Sequence, residues 1–409
     1  VSLDQIVLYR SWSIYRAVKS EKWPNDASLE IAKLWLHRDE WKGPVVLDNL
    51  PVKHISTSLR AVASDRPAPH ALEVNAGIAH KGTETMGLGF LISPEQASDL
   101  IQQDARNAEV VKPYLNGDDL YGPTPKASRW VLDFGELSTD EAARFAGPWR
   151  IAEEQVLPER LAKDGKKYPK LWSHWWQFWR RRADLYEALR TQDIAFALVR
   201  HTPYPVPVFT DPRAVYSDAL IIFSSDSQRL FAILSSSIHQ IWVSERCSTL
   251  GGQTNLRYTP SDVFLTFPFP QEPIRSTAPT VADRGLALAS LRAELMKGRN
   301  IGLSELYGRV HNNLRIETEL ERLRQLQIEL DLAVLEAYGW SDLVLDHCHC
   351  ETAQGRRFTV SPAAKDELLD RLFKLNHEQY AAELHDTKGE GSRSERLGRA
   401  AGSAQESLL

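Results

Sequence analysis

The chain has 409 residues, 43% hydrophobic and 25% charged, which is the make-up of a globular protein and excludes a mostly disordered one. At about 150 residues per domain, two or three domains are expected. Forty-nine Lys and Arg against 54 Asp and Glu give 49 − 54 = −5, so overall charge announces no nucleic-acid partner, and any such partner needs a local basic patch.

Residues 1–42 read as strand, loop, strand. Ser13 to Val18 alternates in the strand period, Lys22-Trp23-Pro24-Asn25-Asp26 is a turn, and Leu29 to Leu36 is a mostly apolar run. Two strands cannot be a domain alone, so they are expected to be the edge of a larger sheet. Residues 43–110 form a mixed α/β connector, with a strand over Gly87–Ile92 and a helix opened by the capping box Ser93-Pro94-Glu95-Gln96. Further capping boxes stand at Ser138-Thr139-Asp140-Glu141 and at Ser225-Asp226-Ser227-Gln228. The latter opens a helix with Leu230, Ile233, Leu234, Ile238 and Ile241 at helical spacing. Short apolar strands precede it at Ile194–Val199, Val206–Phe209 and Ala219–Phe223, and Phe267-Pro268-Phe269-Pro270 stops regular structure. Residues 271–385 read as a helical domain, with helices over 282–298 and 316–338, a C-cap at Gly339 and a last helix from Ser361-Pro362. The Gly- and Ser-rich stretch 386–409 is expected to be a disordered tail.

Two stretches could carry chemistry. Residues 158–182 hold Arg160, Lys163, Lys166, Lys167, Lys170, Arg180, Arg181 and Arg182 against Glu159 and Asp164, a local charge of 8 − 2 = +6. Such cations neutralise phosphates without reading sequence. The alternative is a solvated basic face beside a core built from Trp172, Trp175, Trp176, Phe178 and Trp179. The second stretch, 244–258, is a polar loop offering Arg246, Gln253, Asn255, Arg257 and Tyr258 around Gly251-Gly252. Gln and Asn pair bidentately with adenine and Arg with guanine; the alternative is an ordinary glycine turn.

Other signals are thin. His347-Cys348-His349-Cys350 is too closely spaced for a structural zinc site, and no metal ligand is assigned. Gly87-Leu88-Gly89 precedes a strand, so it is no nucleotide loop, and His239 reads as a core histidine. Nucleophile-elbow, metalloprotease and phosphate-loop motifs are missing, so no catalytic residue is assigned. Three cysteines (Cys247, Cys348, Cys350) argue against a disulfide framework, and with no secretory or membrane-spanning pattern they lead to an expectation of a cytoplasmic protein.

Several segments taken together resemble the C-terminal half of MmeI-like (Type IIL) restriction–modification enzymes and related DNA adenine methyltransferases. They include KWPNDASLEIAKLWL (22–36), RNAEVVKPYLNGDDL (106–120), RWVLDF (129–134), AEEQVLPER (152–160), LRYTPSDVFLTFPFP (256–270) and FTVSPAAKDELLDRLFKLNH (358–377), in order along nearly the whole chain. The resemblance implies an α+β fold. Residues 1–42 would be the last strands of a methyltransferase sheet, residues 111–270 a DNA target-recognition domain of mixed strands and helices, and 271–385 the C-terminal helical domain. It also places base-reading side chains near Leu256. The family's glycine-rich cofactor loop and its Asn-Pro-Pro-aromatic tetrapeptide do not occur in these residues. The chain is therefore expected to bind duplex DNA, to hold no cofactor itself and to be inactive alone. S-adenosylmethionine and adenine-N6 methylation would belong to a separate methyltransferase or nuclease polypeptide. The rival reading is a non-catalytic protein-interaction module using the Trp-rich surface; a hydrolase using scattered carboxylates is a third.

Overall fold

A computed structural model describes residues 12–22, 30–56, 59, 61–62, 66–250, 254–270 and 279–387. The turn at 23–29, Gln253 and the tail from 388 lie outside them. Among the described residues, no helix is long and apolar enough to cross a membrane. Contacts divide the chain into one unit of residues 1–70 with 366–409 and a second of residues 71–365.

The first unit starts from the alternating segment the sequence predicts. Strand β1 (Trp12–Lys22) turns Ile14 and Ala17 inward and pairs antiparallel with β2 (Glu30–Arg38). The sheet does not stop at residue 42. β3 (Val45–Leu47) runs parallel to β1 on its other side, and β4 (Leu50–Val52) follows in the order β2-β1-β3-β4. The expected boundary at 42 thus cuts a sheet, because β1 needs a neighbour on each side to satisfy its backbone. A short pair, β5 (His54–Ile55) and β6 (Ala61–Val62), completes a small core of Ile14, Ala17, Leu47 and Ile55. The Pro362–Thr387 helix, capped by Ser361, buries Leu368, Leu369, Leu372 and Phe373. Buried Asn376 makes two hydrogen bonds with the backbone of His70, whose ring stacks on Tyr380 at 4.0 Å.

The second unit is α+β. One sheet has the order β14-β9-β10-β8, from β8 (Leu91–Ile92), β9 (Val111–Leu115), β10 (Arg129–Leu132) and β14 (Val215–Tyr216). Its core joins Phe90, Ile92, Ala97 and Leu100 to Val110, Val131, Phe134, Val156 and Trp176. The expected boundary at 110 therefore falls inside one sheet and one core. The Pro94–Gln103 helix begins with the capping box read from Ser93 and Gln96. Gly87–Phe90, expected as strand, is a bend; only Leu91–Ile92 pairs. The reason is close approach: the Gly89 N–H donates to Glu159, and a Cβ at Gly89 would lie 2.6 Å from the Gln155 carbonyl oxygen on the Ala146–Leu161 helix.

A second sheet has the order β13-β11-β15-β7, from β7 (Ala79–Lys81), β11 (Ala195–Val199), β13 (Val208–Thr210) and β15 (Leu220–Phe223). It packs Phe196 and Phe223 against Phe231 and Phe264, all fully buried. The single helix expected after Ser225 is two. Ser227 caps Gln228–Ser235; Ser236 then turns extended and its hydroxyl caps Ser237–Arg246 by accepting the His239 N–H.

Helices Pro279–Arg299 and Thr318–Ala337 match the expected pair, with Gly339 at φ 71 just past the second. Fully buried Asp331 on the latter accepts from the Ser237 N–H, Gln327 and His347 (2.8 Å), so a carboxylate sits at a helix N-terminus where the dipole favours it. The region is not purely helical. β18 (Cys348–Thr352) and β19 (Gly355–Thr359) form a hairpin, and Cys348 and Cys350 are disulfide-bonded, which the sparse cysteine count did not lead one to expect. A bond between them leaves neither free as a thiolate ligand.

Candidate nucleic-acid interface

The basic stretch separates into two parts. In the first, Asp164 accepts the backbone N–H groups of Lys166 and Lys167 and fixes a turn from which Lys163, Lys166, Lys167 and Lys170 all face solvent. Of the aromatic residues in the stretch, Tyr168 lies under the Lys167 ammonium at 5.3 Å, while two others face inward. Trp176 and Phe178 are buried in the first core, Phe178 edge-on to Phe90 at 5.0 Å, and Trp176 donates to the Leu137 carbonyl. Trp172 is half exposed, yet its indole N–H donates to the Lys163 carbonyl and its ring lies against Gly165. Buried Arg160 donates to the carbonyls of Thr85, Met86 and Gln177 and holds the stretch onto the 85–90 bend.

The second part, Arg180–Arg182, is engaged within the protein. Arg180 bridges Glu84 by backbone pairing, and the Glu84 carboxylate meets Lys81 at 2.7 Å, Arg182 at 3.1 Å and Arg180 at 3.9 Å. Burial works to raise the Glu84 carboxyl; the Lys81 hydrogen bond and the charges of Lys81, Arg180 and Arg182 outweigh it and hold Glu84 below the ordinary carboxylate range. Arg181 pairs with Asp133 at 3.4 Å. These arginines are less available to phosphates than the sequence suggests, because Arg180 and Arg182 share the Glu84 carboxylate and Arg181 has that of Asp133.

The polar loop is anchored by a small sheet of β12 (His201–Thr202), β17 (Asn255–Arg257) and β16 (Ser248–Leu250), in that order. Strand alternation sorts the candidates. Leu256 is buried, while Asn255 and Arg257 are exposed. Arg257 pairs in register with His201 on one side and Ser248 on the other. Tyr258 is a correction. It is fully buried, its hydroxyl donates to His239 Nε2 at 3.3 Å, and it cannot reach a base. Arg246 is half-buried at the end of its helix with Nε 3.4 Å from the Asp262 carbonyl. Gln253 lies outside the described residues.

The sequence reading missed Lys81, Arg200 and His201, which link the two stretches. Burial, then the Arg257 charge, lowers the Arg200 pKa, with Arg182 adding and Asp218 and Glu84 opposing. Burial, then Arg200 and Arg257, lowers the His201 pKa. One cationic region thus draws on four separated segments, at 81, 180–182, 200–201 and 257, edged by Glu84 and Asp218. The usable signal in sequence is the abrupt break of the apolar run Ala195–Val199 into Arg200-His201. No hydrogen bond or ion pair among the described residues joins Lys163–Lys170 to this region.

A hydrolytic arrangement is present in outline only. His80 lies 3.2 Å from Asp184 by Nδ1 and 3.1 Å from the Ser224 hydroxyl by Nε2. That same Nε2 also lies 3.1 Å from the Gly77 carbonyl, and the Ser224 hydroxyl has the Gly77 and Ile78 carbonyls at 3.2 Å to donate to. A hydroxyl whose proton points to a carbonyl does not offer it to the imidazole, so the three groups do not form an activated nucleophile. The group pins β7 to its neighbours.

Residues 69–271 match the family MmeI, target recognition domain. Among solved structures, the Type IIL restriction-modification enzyme MmeI in complex with DNA has a similar fold, with a TM-score of 0.65 and 18% identity over 92% of this chain and 47% of that one. The chain spans about half the length of that protein. The type IIG restriction endonuclease BpuSI aligns over 66% of this chain and 32% of its own, with a TM-score of 0.31 and 12% identity. Comparison with curated proteins gives no match.

Proposed function

Because residues 69–271 match the MmeI target recognition domain family, we propose that the chain reads a base sequence on duplex DNA. The observation that carries this is the outward face of β17 within the matched segment, where Arg257 and Asn255 stand exposed beside the cationic region. A guanidinium meets guanine O6 and N7 through two parallel N–H donors, and the Asn amide meets adenine N6 and N7; each such pair discriminates by about 1–3 kcal/mol. Arg246 and Gln253 are weaker candidates for the same role. Lys163, Lys166, Lys167 and Lys170 supply phosphate contacts that hold the chain on the duplex without choosing sequence. The field of Lys81, Arg182, Arg200 and Arg257 draws the polyanion to an otherwise acidic molecule.

Methyl transfer to adenine N6 would require a polar clamp on the exocyclic amine and a stacking platform for a flipped base. In this reading those groups, and S-adenosylmethionine, come from a methyltransferase part outside these residues. The chain directs that part to its target.

Selection from a random duplex pool, followed by fluorescence anisotropy on the enriched sequence, tests the proposal. Enrichment of one short motif is expected. Equal affinity for selected and scrambled duplexes would remove the reading function. Radiolabel from S-adenosylmethionine appearing in adenine with the purified chain alone would refute the division of labour.

A further inference from the structure

A cavity within residues 71–365 lies behind β12 and β17, walled by the loop after Thr202, the Ser237–Arg246 and Leu303–Val310 helices and the β18–β19 hairpin. Its interior has room for about 70 Å³, and it opens to solvent at its mouth. One wall is aromatic: Tyr204 stacks on His311 at 5.4 Å and lies 5.8 Å from Tyr307. The Arg357 guanidinium sits 4.7 Å from the centre of the Tyr204 ring, and its Nη1 donates to the Arg356 carbonyl. It has no carboxylate partner among the described residues, and burial lowers its pKa, as expected of a cation deprived of water and of a counter-charge. Gln354 is 8% exposed, lines the same space, and its side-chain amide has no hydrogen-bond partner among the described residues. His311 Nδ1 accepts the Phe358 N–H at 3.0 Å, so its proton is on Nε2, a further donor.

We propose that this cavity binds a small anionic heteroaromatic molecule of the nucleotide class. The flat ring lies on the Tyr204–Tyr307 wall, ring heteroatoms meet the Gln354 amide, and the anion sits on Arg357. An aromatic wall alone would take any apolar ring; the unmatched cation and the unmatched amide demand an anion and a polar ring edge. The proposal does not rest on the DNA reading, since none of these groups is among the base or phosphate candidates.

Adenosine monophosphate, adenosine and inorganic phosphate are the probes, titrated calorimetrically into the full chain without DNA. Saturable binding of adenosine monophosphate is expected, with adenosine and phosphate each weaker by at least about tenfold. Arg357→Gln weakens adenosine monophosphate by a similar factor and leaves adenosine unchanged, whereas Gln354→Leu weakens both. Duplex affinity is the same in wild type and Arg357→Gln. If either variant fails to fold, saturation-transfer NMR on the wild type decides: adenine-ring protons saturate most strongly in adenosine monophosphate, and phosphate alone does not displace it. The proposal is overturned by absence of saturable binding, by phosphate competing as well as the nucleotide, or by displacement of the nucleotide by duplex DNA.

Discussion

At Arg257 the side chain leaves an exposed strand position between His201 and Ser248, and among the described residues no carboxylate fixes it as Glu84 fixes Arg182. Arg257→Ala is expected to cost about 1–3 kcal/mol of DNA binding and to relax choice at one base position. Lys167→Ala is expected to weaken all sequences alike. Anisotropy titrations on the selected duplex and on single-base variants separate the two; equal losses on every sequence for Arg257→Ala would deny it a reading role. Buried histidines give a second test at this scale. Burial lowers both His239 and His311 to about 3 from an ordinary 6.5. Each is neutral in the folded state and takes a proton on unfolding, so stability is fully present above about pH 6.5 and is lost as pH falls toward 3. The expected slope is about 1.4 kcal/mol per pH unit for each histidine. Denaturant midpoints between pH 7 and pH 4.5 measure it, and His239→Gln should reduce the slope; a flat profile would contradict the burial.

Among the elements, close backbone approach decides more than propensity does. Gly285 lets the Pro279–Arg299 helix rest on the Gln228–Ser235 helix, where an added Cβ would stand 2.4 Å from Ala232 Cβ and 2.7 Å from its Cα. Gly285→Ala is therefore expected to destabilise the fold by about 1–3 kcal/mol, although alanine is the better helix former, because the neighbour is backbone that cannot rotate away. A thermal unfolding midpoint equal to or above wild type would show that the helices separate freely. The same cause explains where the sequence was misleading. Capping boxes at Ser93 and Ser138 were legible because a cap is local chemistry. Gly87–Phe90 looked like strand because its bend is imposed by Glu159 and Gln155, some 70 residues away. Arg257 and Asn255 were legible by alternation within β17. Tyr258 was not, since its partner His239 lies on the Ser237–Arg246 helix, and neither were Arg200 and His201, which reach the site by long-range backbone pairing, His201 opposite Arg257 and the Arg200 carbonyl accepting the Tyr258 N–H.

For the whole molecule, the question is how many of the basic residues act on DNA when net charge is −5. Counterion release makes the logarithm of affinity fall with the logarithm of salt at a slope near −0.9 for each phosphate neutralised. If Lys163, Lys166, Lys167 and Lys170 alone engage phosphates, the slope is about −3.6; adding Arg180, Arg181 and Arg182 takes it to about −6.3. The ion pairs of those arginines with Glu84 and Asp133 argue for the smaller value, because a guanidinium already neutralised by a carboxylate has displaced no counterion for DNA to release. Anisotropy on the selected duplex across a range of salt concentrations is expected to give a slope nearer −4 than −6, and Glu84→Gln, by releasing Arg180 and Arg182 while Lys81 keeps Asp218, to steepen it by about one to two units. An apolar protein-binding surface would give almost no slope. That outcome would favour the interaction-module alternative, even though Trp176 and Phe178, the middle of the tryptophan-rich stretch, are packed inside the protein.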